Sequence, residues 1–162
     1  MAMWAITDYN YQINDYYESY FPGDQYQALM AISFVELASY IVAGIIFESM
    51  KVKRCTKLYV LAYSIGIVGA VGILLNNEQE NPELDLFFNY VAKFGIGSAF
   101  QAVYLANVLF PIVFSSTTFG LCCMMASTAS FFSIWEIYDF DDKQPWVVFV
   151  ILSAVGIIFA LL

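Results

Sequence analysis

Apolar positions run through this chain in five long blocks separated by short polar connections, with none of the alternation of a half-buried sheet. A hydrocarbon core of roughly 30 Å is crossed by about 20 apolar residues in helix. That template selects Ala28 to Met50, Leu58 to Leu75, Leu86 to Leu109, Thr117 to Tyr138 and Trp146 to Leu162. The pattern predicts an all-α, polytopic membrane helix bundle of about five transmembrane helices over residues 28–162.

Residues 1–27 differ in kind, being rich in Tyr, Asp, Asn and Gln and broken by Pro22-Gly23, so they cannot supply an unaided span. The first expectation is a short outer-face segment. Tyr9, Tyr11, Tyr16, Tyr17, Tyr20, Phe21 and Tyr26 suit a headgroup interface, where a ring meets lipid and its hydroxyl meets water. The other reading is a degraded helix beginning near Trp4 and Ile6, which needs protein rather than lipid around it. Trp135 and Trp146 bracket the last loop as further interfacial anchors.

Charge then orients the bundle. Glu48, Lys51, Lys53, Arg54 and Lys57 cluster around the first connection, NNEQENPELD follows the second run, and DFDDKQP follows the fourth. The positive-inside rule puts residues 51–57 on the cytoplasmic or matrix-like face, the amino terminus outside and Leu162 inside. With 61% hydrophobic and 12% charged residues, lipid is the main solvent, and the net charge of -8 marks a compartment face. No basic footprint for nucleic acid exists.

Three cysteines without metal spacing, and no histidine, predict no metal site and no cofactor. A histidine base, a phosphate loop, a nucleophile elbow and haem ligation are all missing, so the chain reads as a non-enzyme. The acidic loop Asp139, Asp141, Asp142 lacks the glycine and terminal glutamate of a calcium loop.

Small residues recur at helical spacing as Ala62, Gly66 and Ala70, and as Gly95 and Ala99. Such stripes are helix-packing seams, and the first is expected to meet another helix directly while Ile73 faces lipid. Polar residues within the spans carry whatever chemistry exists: Glu36, with Ser33 and Tyr40 on its face, and Lys93, with Tyr104 and Asn107 further along its helix. They are substrate or coupling candidates on one reading and packing partners on the other, and Lys93 has the option of snorkelling outward. Ser115, Ser116, Thr117 and Thr118 are placed to cap the fourth span, and Ser127, Thr128, Ser130 and Ser133 bond back to their own helix.

The succession VELASYIVAGIIFESMKVKR, KFGIGSAFQAVYLANVLFP, SSTTFGLCCMMAS and QPWVVFVILSAVGIIFALL resembles the C-terminal half of a major facilitator superfamily transporter, in its organic cation/anion or sugar-porter-like branch. The resemblance implies helices from the end of the family's seventh to its twelfth, with the N-terminal six-helix half missing. The inner-loop pattern of that family is similar to Glu48, Lys51, Lys53 and Arg54 here, without its glycine. Before the eleventh helix the family's glutamate position is Val108, its proline is Pro111 and its arginine position is Ser115, so the inner-face latch is eroded.

Alternating access runs between two halves that rock about a midplane site, and one half does not form that pathway alone. The leading expectation is a transporter-derived, transport-inactive structural subunit whose partners are membrane lipid and other transmembrane subunits. An organellar or respiratory assembly in the mitochondrial inner membrane is one setting, and the plasma membrane is the other. The alternatives are half of a solute transporter for an organic ion or sugar-like solute, and an excised piece of a longer transporter.

Overall fold

The computed structural model describes residues 1–18, 25–50, 53–76, 82–108, 111–139 and 144–162. They form six α-helices: α1 (Ala2–Glu18), α2 (Gln25–Ser49), α3 (Arg54–Leu75), α4 (Pro82–Val108), α5 (Ile112–Asp139) and α6 (Gln144–Leu161). Among the described residues, Leu29–Ser49, Arg54–Leu75 and Gln144–Leu161 are long and apolar enough to cross a membrane.

Each of the five expected helices begins two to five residues before its apolar run. Pro82 opens α4 because its fixed φ suits a first helical position, and Glu83 and Asp85 in the first turn complement the helix dipole. α5 starts at Ile112, where the backbone N–H groups of Phe114 and Ser115 donate to Pro111 O. Ser115 to Thr118 are therefore inside α5 rather than at its cap. The hydroxyls of Thr128, Ser130 and Ser133 donate to carbonyls of the preceding turn.

The tightest seam joins α3 to α4. A Cβ at Gly95 would overlap the Gly66 backbone and approach Ala62 O to 2.8 Å; one at Gly69 would lie 2.5 Å from Ala92 N and 2.7 Å from Phe88 O. Glycine lets the two backbones touch, which is how helices associate where lipid removes the hydrophobic driving force. Ala62, Gly66 and Ala70 are buried, and the helices they meet, α4 and α6, belong to this same chain. Gly95 and Ala99 are buried on the facing helix. Ile73 is fully buried beside Ala70 and Ala92, contrary to the lipid-facing expectation, because it lies seven residues beyond Gly66 and so shares the α3 face turned to α4.

Residues 2–18 add a sixth helix to the five expected ones. α1 packs on α5, α6 and α4. Its Thr7, Asn10 and Asn14 share one face and are fully buried, so protein surrounds the polar side chains that lipid could not satisfy. Tyr9 and Ile13 are buried against Ala129, Val148 and Leu152, and the Tyr11 ring packs on Phe100, so these tyrosines turn inward rather than to an interface. Trp146 is likewise fully buried against Phe149. Residues 19–24 and the Trp135 side chain lie outside the described ones.

The direction of α1 follows from its partners. Met3 and Thr7 meet Tyr59 near the start of α3, Asn10 meets Ser153 in the middle of α6, and Asn14 meets Asn89 in the first half of α4. Consecutive helices thus alternate in direction. Met1 and Leu162 lie at the Arg54 end of the bundle, whereas five spans place the termini at opposite ends. The additional helix reverses the position of the amino terminus.

Candidate site: a charged cluster at mid-bundle

Glu36 lies 11 residues into α2 and Lys93 11 residues into α4. Because these two helices run the same way, both side chains are at one level, about 16 Å along each axis. The Lys93 ammonium hydrogen-bonds to Asp15 Oδ1 of α1 and lies 3.9 Å from Glu36 Oε2. It is also 4.0 Å from the centroid of the Tyr11 ring. The Tyr11 hydroxyl donates to the Glu36 carboxylate, at 3.0 Å and 3.1 Å from its two oxygens, and Tyr40, one turn along α2, donates to the same carboxylate.

Lys93 is 1% exposed, so its charge is turned into the bundle and does not snorkel. Removing a charge from water costs several kcal/mol unless a counter-charge and hydrogen bonds replace the hydration. Asp15, Glu36 and the Tyr11 face together supply that replacement. Asp8, two turns before Asp15 on α1, accepts a hydrogen bond from Ser130 of α5. Three helices therefore converge on one lysine, and a fourth is tied in through Asp8.

The other two sequence candidates stand apart from this cluster. Tyr104 is half exposed, with its ring 4.7 Å from Trp4 and 5.9 Å from Phe119, and it lies about 16 Å along α4 from Lys93. Asn107 is buried near the end of α4. Of the inner-loop charges, Lys53, Arg54, Glu48 and Lys57 are exposed, and the Arg54 guanidinium is 5.7 Å from the Phe47 ring centroid. Lys51 lies outside the described residues. At the latch positions, Val108 and Pro111 are exposed and Ser115 is half-buried.

Sequence reasoning missed Asp15, Tyr11 and the buried asparagines. Their signal was present: Asp8, Tyr11 and Asp15 fall at offsets of three and four residues, as do Thr7, Asn10 and Asn14. That spacing puts two adjoining polar stripes on one helix. On α4, Asp85, Asn89 and Lys93 recur every fourth residue. The buried asparagines are each half satisfied. Asn10 Nδ2 donates to Ser153 Oγ at 3.1 Å and Asn14 Nδ2 to Asn89 Oδ1 at 2.8 Å.

Comparison with known proteins places these features in context. The chain is 32% identical over 130 residues to solute carrier family 22 member 16 of Homo sapiens, an alignment covering 77% of this chain and 21% of that protein. The chain thus spans about a fifth of the length of the curated relative it matches. No family profile matches the chain, and no solved structure matches it. With six helices, three of them apolar enough to span, it is a multi-pass integral membrane protein distantly related to a transporter family.

Proposed function

We propose that this chain is a transporter-derived structural membrane subunit, transport-inactive and held in a larger assembly by lateral helix contacts. One observation carries the reading: the charged groups at mid-bundle are engaged with one another. Both oxygens of Glu36 lie within hydrogen-bond distance of Tyr11, and Lys93 is paired with Asp15. A half-transporter needs such groups open toward its missing half. Here they tie α1, α2 and α4 together.

Two further features support the reading. Val108 and Ser115 cannot supply the opposite charges of an inner-face latch, so alternating access lacks its usual lock in this half of a major facilitator-like fold. Leu29, Met30, Phe34, Leu37, Ile41 and Ile45 line an exposed apolar flank of α2, which lipid or neighbouring helices must cover. An organellar or respiratory complex in the mitochondrial inner membrane is the setting proposed.

Isolation from native membranes in mild detergent tests this. A structural subunit comes away at fixed stoichiometry with unrelated membrane proteins, and the purified chain in liposomes shows no saturable uptake. Recovery alone with a second six-helix bundle, together with uptake of an organic ion that Glu36→Gln abolishes, would overturn it.

The second reading, half of a solute transporter of the major facilitator type, is favoured by a specific observation. Asp8, Asp15 and Glu36 bring three carboxylates to one region of the bundle that holds Lys93 as its cation. That imbalance, and the similarity to a protein named a solute carrier, are what an organic-ion pathway would leave in one half.

A further inference from the structure

Asp85 and Asn89, which lead along α4 to Lys93, enter neither reading. Asp85, Asn89 and Lys93 stand at every fourth position of α4 and are all buried, at 1%, 0% and 1% exposure. Four-residue spacing stacks them on one face, so they form a column that descends about 12 Å from the first turn of α4 to the mid-bundle cluster. Asn14 of α1 sits opposite Asn89, and its neighbour Asp15 sits opposite Lys93. Asn10, one turn further along α1, joins the column to Ser153 of α6.

Above Lys93, Asp85, Asn89, Asn14 and Asn10 each have polar capacity that no described residue fills. Asp85 Oδ1 accepts a hydrogen bond from Asn76 Nδ2 at 2.8 Å, while Asp85 Oδ2 has no hydrogen-bond partner. The Asn14–Asn89 pair makes one bond and leaves Asn14 Oδ1 and Asn89 Nδ2 over; Asn10 Oδ1 is left over in the same way. Reversing one amide of the Asn14–Asn89 pair sets like against like and loses the bond, and reversing both still strands one acceptor and one donor. Buried groups of this kind are almost always paired. The pattern of acceptor, donor and acceptor is one that water matches: a water donates to Asn14 Oδ1 and accepts from Asn89 Nδ2, and a second donates to Asp85 Oδ2.

We propose that this column holds a file of bound water, running from the α3–α4 end of the bundle past Asp85, Asn89 and Asn14 to the Lys93 cluster. The ligand is water. Asp85 and Asn76 stand where α3 ends and α4 begins, so the file runs toward the end of the bundle where exposed Glu83 lies in the first turn of α4. It gives the Lys93 ammonium, itself 1% exposed, a wet connection along α4. The other end is closed by the α3–α4 seam at Gly66 and Gly95 and by the packed rings of Trp4, Phe100 and Phe119. The inference holds whether or not the chain moves a solute.

Magic-angle-spinning NMR of the wild-type chain in deuterated lipid bilayers tests it, with magnetisation passed from mobile water protons to 15N-labelled asparagine side chains and Lys93 Nζ. The side-chain amides of Asn14 and Asn89 should gain signal as fast as the backbone amide of exposed Lys57, and several-fold faster than that of buried Gly69. In Asn89→Leu the transfer to Asn14 should fall to the Gly69 rate. Asn14 and Asn89 signals in the wild-type chain that rise no faster than Gly69 overturn the proposal, whether or not the variant folds.

Discussion

The ring of Tyr11 lies beneath the ammonium of Lys93 while its hydroxyl donates to Glu36, so one side chain of α1 serves both charges of the mid-bundle cluster. The ring face carries the negative end of its quadrupole and the hydroxyl the positive proton, which lets a single residue stabilise a cation and an anion at once. Tyr11 thereby couples α1 to both α2 and α4. The two functions of the residue are separable by mutation.

Tyr11→Phe keeps the ring and removes the donor; it should cost about 1 kcal/mol, the worth of a hydrogen bond to a charged group less its replacement by Tyr40. Tyr11→Leu removes the cation–π contact as well and should cost roughly 1 kcal/mol more. Thermal unfolding in detergent, followed by helical circular dichroism, reads both. Equal loss for the two variants would mean that the ring contributes nothing to holding Lys93.

Lys93→Met leaves Asp15 and Glu36 without their cation. Breaking a buried pair costs about 3–5 kcal/mol, and this one should fall at the low end because the Asp15 side chain is 38% exposed. Adding Asp15→Asn to Lys93→Met removes one of the stranded charges, so the double variant should be more stable than Lys93→Met alone. A double-mutant cycle on unfolding free energies measures the coupling, and additive effects would show that the ion pair is not a stabilising unit.

Gly95→Ala and Gly44→Ala separate close packing from helix propensity. A Cβ at Gly95 collides with the Gly66 backbone, which no rotamer change relieves; at Gly44 nothing lies within 4 Å. Gly95→Ala should therefore force α3 and α4 apart and lower the melting temperature. Gly44→Ala should be neutral or raise stability by up to ~1 kcal/mol through helix propensity. Matching melting temperatures for the two variants would show that the α3–α4 contact tolerates a wider spacing.

Much of the architecture was legible because the bilayer demands long apolar helices: the runs ending at Met50, Leu75 and Leu162 coincide with the ends of α2, α3 and α6 to within a residue. The small-residue stripes were legible as well, since close approach leaves a mark in side-chain size. Hydropathy left α1 as only the second reading, a helix near Trp4 and Ile6 needing protein around it, because Thr7, Asn10 and Asn14 look like solvent-facing residues until the surrounding helices are in place. The same cause concealed Asp15 as the partner of Lys93. Hydropathy reports affinity for lipid, and a helix enclosed by other helices does not need it.

The last prediction concerns the side on which the chain begins. α1 runs parallel to α3, as the contacts of Met3 and Thr7 with Tyr59 at one end and of Asn14 with Asn89 at the other require, and α6 returns to the first end, where Gly156 approaches Tyr59 and Ile6. If all six helices cross, both termini share a face with Lys53, Arg54 and Lys57, while Glu78, Glu80, Asp141 and Asp142 take the other. That arrangement satisfies the positive-inside rule at every connection carrying charge. In a background with Cys55, Cys122 and Cys123 replaced by alanine, single cysteines at Ala2, Lys53 and Leu162 should react with a membrane-impermeant maleimide from one side of sealed vesicles, and a cysteine at Asp141 from the opposite side. Labelling of Ala2→Cys from the Asp141 side would mean that α1 does not cross, and would restore the five-span topology.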